Sequence, residues 1–77
     1  MPVAFVLINT EIGAIEDVLA SLKKIPGVVE AHSVYGVHDI VVKVNVESMD
    51  ALRTIVTERI RQIEMVESVN TMIVIRN

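Results

Sequence analysis

The chain has no cysteine and no tryptophan, and its only aromatic residues are Phe5 and Tyr35. Without thiols there is no disulfide framework, no thiolate nucleophile and no sulfur ligand for zinc or an iron–sulfur cluster. The two histidines, His32 and His38, stand at a spacing that matches no zinc pattern. Two aromatics are too few to build the stacking surfaces on which single-stranded RNA is read. Seven cations, scattered from Lys23 to Arg76, face ten acids for a net charge of −3, which disfavours binding to a phosphate backbone. The longest uninterrupted apolar run, Val3 to Ile8, is about a third of a membrane span, and no charged leader precedes it. These absences predict a soluble, cytoplasmic protein with no cofactor, no metal, no nucleic-acid partner and no membrane partner.

What is present is apolar and β-branched. Of 77 residues 52% are hydrophobic, and roughly a third are Val or Ile. Disorder is excluded by that composition. The length allows one domain, spanning 1–77, and a chain of this size buries only about 60% of its extended surface on folding. Small domains compensate with disulfides, metals or self-association, and only the last is open to this sequence.

Val3 to Asn9 reads as a strand, with Asn9-Thr10 placed to cap a helix that follows. Ile12, Ile15, Leu19 and Leu22, with Val18 beside them, recur at helical spacing, and Glu16 and Asp17 precede Lys23 and Lys24 as the helix dipole favours. Pro26 and Gly27 end the helix. Val28 to Tyr35 reads as a second strand, Gly36 to Asp39 as a tight connection, and Ile40 to Glu47 as a third strand. In the third, Ile40, Val42, Val44 and Val46 face one way, against Val41, Lys43, Asn45 and Glu47. Ser48 is placed to cap a second helix striped by Leu52, Ile55, Val56, Ile60 and Ile63, and Val66 to Arg76 is the last strand.

The order β-α-β-β-α-β predicts an α+β, ferredoxin-like fold: a four-stranded antiparallel sheet with both helices on one face. The other face should alternate with polar residues if it met water. Val3 to Ile8 and Met72 to Ile75 have none. Apolar side chains must therefore point away from the helices on at least two strands, and an exposed patch of that kind marks an interface. The expected partner is a second copy of the chain.

The inventory for catalysis is poor. Ser21, Ser33, Ser48 and Ser68 carry no nucleophile signature, and the acids fall on polar faces. Acylphosphatase, with the same element order, needs an arginine in the loop after the first strand, whereas Asn9 to Gly13 is acidic. The informative stretch is Tyr35-Gly36-Val37-His38-Asp39-Ile40. Gly36 can take positive φ and turn backbone N–H groups outward as a cradle for a carboxylate, and Asp39 is an anion for an ammonium. The same residues also make an ordinary turn, with Asp39 bonded to backbone. His38 reads either as a solvated turn residue or as a binding residue, and His32 as a half-buried strand residue. Thr71 fits a strand on packing alone, and Met65 and Met72 suit adaptable packing.

The run Gly36-Val37-His38-Asp39-Ile40-Val41-Val42-Lys43-Val44, with Val28 and Glu30 before it and Val66 to Ile75 after it, resembles the C-terminal ligand-binding (RAM) domain of Lrp/AsnC transcriptional regulators. The likeness covers Val3 to Ile75. Its most specific elements are the Gly-x-x-Asp hairpin and the closing pattern matched by Val66, Thr71, Ile73 and Val74. It implies a non-enzymatic sensing domain without the helix-turn-helix of full regulators, which pairs into α+β barrel-type homodimers. Those dimers assemble into rings, commonly octamers, that bind free amino acid between dimers near the hairpin. Carried over, Gly36, Asp39 and Thr71 match the motif, with Tyr35, Val37 and His38 as neighbours. His38 stands where relatives often have an aromatic, and Met65 where a glycine often precedes the valine. A full-length Lrp/AsnC regulator is the further partner implied. Three rival readings remain: a constitutive oligomerisation module without ligand, an ACT-like regulatory domain binding near Asn9 to Gly13, and a small dimeric α+β enzyme using a histidine.

Overall fold

The computed structural model describes residues 1–76; Asn77, the last residue of the expected domain, lies outside them. Four strands, β1 (Val3–Thr10), β2 (Val28–Ser33), β3 (Ile40–Asn45) and β4 (Val66–Ile73), form one antiparallel sheet in the order β2-β3-β1-β4. Helix α1 (Ile15–Lys23) follows β1, and α2 (Met49–Thr54) follows β3. The βαββαβ order expected from the sequence is the order observed.

The period-two pattern decides which face is dry. On β1, Ala4, Val6 and Ile8 are fully buried against the helices, together with Ile40, Val42 and Val44 of β3. These pair across the ladder as Ala4–Val44, Val6–Val42 and Ile8–Ile40. Val18 and Leu22 of α1, and Leu52, Val56 and Ile60 from the second helical segment, close the core from above. Val3, Phe5 and Leu7 point the other way and stay half-buried, beside Val41 and the 52%-exposed Met72. The sheet therefore has an apolar face without helices, as the strand pattern predicts.

Ser48 caps α2, its Oγ accepting the Ala51 N–H at 3.0 Å. Beyond Thr54 the helix widens into a π-helical turn, Ile55–Ile60, closed by the Arg61 N–H on the Val56 carbonyl at 3.1 Å. The run Thr54-Ile55-Val56-Thr57 is β-branched throughout and crowds a regular helical turn. The Thr57 hydroxyl also takes the Arg53 carbonyl at 2.6 Å, a back-bond that loosens helices.

Several boundaries depart from expectation. Asn9 and Thr10 do not cap α1: both belong to β1, and Ala14 stands at the N-cap without a side-chain bond. Helix α1 starts at Ile15, so Ile12 is not part of its stripe but fully exposed in a turn with Gly13 at φ +83°. The second strand stops at Ser33 and not Tyr35, the third at Asn45 and not Glu47, the fourth at Ile73 and not Arg76. The connection is therefore longer than Gly36 to Asp39 and runs over 34–39, closed by the Val34 N–H on the Asp39 carbonyl at 2.9 Å.

Candidate functional site

Loop 34–39 leaves the sheet at the end of β1 and is tied back to that strand. The Asp39 N–H reaches the Ile8 carbonyl at 2.9 Å, and Asp39 Oδ2 accepts the Thr10 N–H at 2.9 Å. That bond serves a backbone donor left over where the β1–β4 register shifts between Asn9 and Thr10. One carboxylate oxygen of Asp39 is thus structural. Oδ1 makes no hydrogen bond among the described residues.

Asn9 is the second tether. Its Nδ2 donates to the Val37 carbonyl at 2.9 Å, and its Oδ1 lies 2.8 Å from His38 Nδ1 and 3.0 Å from the Ser68 hydroxyl, which donates to it. One amide so joins the loop, β1 and β4. Ser68 did not stand out in the sequence as a site residue, and Asn9 did so only as a helix cap and as the start of the segment an ACT-like domain would use. The available signal was that Asn9 is the polar residue ending the outward series Val3, Phe5, Leu7 on β1.

Between these tethers the loop crest is bare. Tyr35 is fully exposed and Val37 is 86% exposed. Gly36 has φ +145°, a region L side chains rarely adopt, although a Cβ there would meet nothing within 4 Å. Backbone geometry requires the glycine, and crowding does not. The N–H groups of Tyr35, Gly36, Val37 and His38 have no backbone acceptor among the described residues. The loop can therefore offer donors at its crest and acceptors, Asp39 Oδ1 and His38 Nε2, at its base.

Tyr35, Gly36, Val37, His38 and Asp39 come together by chain adjacency. Thr71 does not join them. It pairs with Val6, whose side chain is fully buried beneath the helices, and it lines an open apolar groove of about 250 Å³ with Met49, Leu52, Val56 and Ile73. His32 lies outside the loop, on β2, its Nε2 3.1 Å from Glu30 Oε1 and its side chain 60% exposed. That is more open than the half-buried strand position expected, and unsuited to acid–base work in an apolar pocket. Among the described residues no group of three His, Asp or Glu could hold a metal, and no helix is long and apolar enough to cross a membrane.

The chain is thus an α+β, ferredoxin-like domain with one helix-free apolar sheet face and a loop tethered to the end of β1. The model of the Lrp/AsnC ligand binding domain matches residues 3–77, and the chain belongs to that family. It is similar to hypothetical protein PHS023 from Pyrococcus horikoshii, at 36% identity and TM-score 0.92, covering 100% of this chain and 93% of that one. It is also similar to AsnC of E. coli, at 30% identity and TM-score 0.93 over 99% of this chain, and there it spans 52% of the longer protein. The transcriptional regulator NMB0573 from Neisseria meningitidis, solved as a complex with L-Met, shares the fold: 22% identity, TM-score 0.88, 97% of this chain and 50% of that one. No curated protein matches the sequence. The family is one of regulatory ligand-binding domains of transcription regulators and not of enzymes.

Proposed function

We propose that this domain is a non-enzymatic sensor of a free amino acid, binding it at loop 34–39 where two copies meet, and modulating full-length Lrp/AsnC regulators by mixed assembly. The observation that carries the reading is the state of the loop: anchored at its base by Asp39 and Asn9, bare at Tyr35 and Val37, and with unpaired donors and acceptors on one short segment. An amino acid has too few atoms to bind by area, so its ammonium and carboxylate need charge-assisted partners away from water. Asp39 suits the ammonium, and the N–H groups around Gly36 suit the carboxylate. Water is excluded only if something covers the crest.

A second copy supplies that cover. Thr71 faces away from the loop in its own chain, so it contributes to the same site only from a neighbouring subunit. The apolar sheet face around Phe5 is the natural dimer surface, and further dimer contacts at the loops then build a ring, octameric by resemblance. The L-Met complex of the Neisseria regulator lends weight to an amino acid as ligand. In this reading residues 1–77 act as one RAM-type domain in the cytoplasm.

The bond from Asp39 to Thr10 favours a second reading, in which the loop is only structural and assembly is constitutive. Calorimetry against the twenty amino acids, with light scattering at each, separates the two. Saturable heat for one or a few amino acids with a change in assembly is the expected result. No heat from any of them, with one unchanged mass throughout, overturns the sensing function.

A further inference from the structure

We propose that Asn9 is the positioning residue of the loop: it locks His38 in the form protonated at Nδ1, so that the ring presents Nε2 as an acceptor on the residue preceding Asp39 and the base of the loop takes an ammonium. The claim about the ligand rests on the amino-acid reading above. The claim about the ring does not.

The Val37 carbonyl can only accept, so the Asn9 atom 2.9 Å from it is the amide nitrogen. The opposite orientation would set two oxygens against each other. Asn9 Oδ1 is then the atom facing His38 Nδ1 at 2.8 Å and the Ser68 hydroxyl at 3.0 Å, and an amide oxygen only accepts. His38 Nδ1 must therefore carry the proton. In the neutral ring the other nitrogen, Nε2, is left as a lone pair, and it makes no hydrogen bond among the described residues. Both lone pairs of Asn9 Oδ1 are engaged, so the arrangement leaves the amide no alternative partner.

The consequence is the hydrogen-bonding sign of the site. With Nε2 bare, two adjacent residues offer acceptors, which a group with several N–H donors and a positive charge satisfies. In the other tautomer Nε2 would carry an N–H in place of the lone pair, and the ring would oppose an ammonium. His32 provides a contrast within the same chain. Its Nε2 faces the Glu30 carboxylate at 3.1 Å, an acceptor only, so this ring is protonated at Nε2. The two histidines are thus assigned opposite tautomers.

Long-range proton–nitrogen NMR correlation on histidine-labelled protein, at a pH where both rings are neutral, reads the two directly. The expected spectra show His38 protonated at Nδ1 and His32 at Nε2. Asn9→Ala should release His38 into a solvent-like mixture while His32 stays unchanged. Asn9→Asp keeps an acceptor for Nδ1 but loses the donor to Val37, and should hold the His38 tautomer. Finding His38 protonated at Nε2 in the wild type, or unchanged in Asn9→Ala, overturns the proposal. Calorimetry with the twenty amino acids, and with the N-acetyl form of the tightest, tests the ligand side. Asn9→Ala should bind roughly tenfold to a hundredfold more weakly, and the N-acetyl compound should not bind. Equal binding by wild type and Asn9→Ala removes the positioning role and leaves the amino-acid reading intact. Absence of any binding removes the amino-acid reading and the ammonium site with it, while the tautomers still decide whether Asn9 controls the ring.

Discussion

Asp39 Oδ2 accepts the backbone N–H of Thr10 at 2.9 Å, joining loop 34–39 to the end of β1 across 29 residues of chain. The same carboxylate is the group assigned to the ligand's ammonium, so a substitution must separate the two roles. Asp39→Asn keeps an oxygen for Thr10 and removes the charge. A bond to a charged group contributes about 1.5–3 kcal/mol and a neutral one about 1 kcal/mol. Urea unfolding should therefore show a loss of about 1 kcal/mol for Asp39→Asn and about 2 kcal/mol for Asp39→Ala. Amino-acid affinity should fall tenfold or more in both. Wild-type affinity in Asp39→Asn would show that the carboxylate serves the fold alone.

Gly27 closes the turn after α1 in a position only glycine tolerates. Its φ is +98°, and an added Cβ would lie 2.9 Å from both Ile55 Cδ1 and Val46 Cγ1. Its carbonyl also accepts the Asn45 N–H at 2.9 Å, so the backbone cannot shift without opening the end of β3. Gly27→Ala combines left-handed strain with overpacking and should cost about 2–3 kcal/mol in urea unfolding. Gly36→Ala meets no neighbour, and its cost is backbone strain alone. It should lie at about 1–2 kcal/mol, and a larger loss there than at Gly27 would show that overpacking at Gly27 costs nothing.

Met65 is the single non-glycine residue with positive φ among the described residues, at +73°. It sits in the turn before β4, where its carbonyl accepts the Glu11 N–H at 2.9 Å. A left-handed L residue costs about 1–2 kcal/mol; glycine relieves that strain, and its freer unfolded chain offsets part of the gain. The residue is 36% exposed. Met65→Gly should thus raise stability by about 0.5–1 kcal/mol, read as a higher Tm at unchanged circular dichroism. A lower Tm would mean that the thioether makes contacts worth more than the strain.

What the sequence made legible is what depends on short spacings. The alternation Ile40, Val42, Val44 placed the dry face of β3, the Ser48 cap preceded a real helix, and the lack of polar residues in Val3 to Ile8 revealed a second apolar face. What it hid depends on partners far along the chain. Asn9 looked like a local helix cap because its actual partners, Val37, His38 and Ser68, lie 28, 29 and 59 residues away. Ile12 kept helical phase with Ile15 and Leu19, yet the turn through Gly13 takes it out of the helix. Thr71 matched a family pattern, and only the β1–β4 register reveals that it lies on the helix side of the sheet, exposed in an open groove away from the hairpin.

Phe5 tests the proposed pairing of copies. It lies on β1, opposite Lys43 of β3 and Met72 of β4, on the sheet face without helices. A glutamate in its place would face Lys43 across the ladder, a favourable pair worth a few tenths of a kcal/mol to about 1 kcal/mol in a solvated sheet. The monomer should therefore tolerate Phe5→Glu, because the core under the helices, from Ala4 to Ile8 on the other face, is untouched. A paired face would not: two copies of the charge would be carried into an apolar interface, where desolvating an ion costs several kcal/mol even beside Lys43. Multi-angle light scattering should give a dimer or larger assembly for the wild type and a monomer for Phe5→Glu, with the same circular dichroism spectrum. A wild-type monomer, or an assembly that survives the substitution, would place the contact between copies somewhere other than this face.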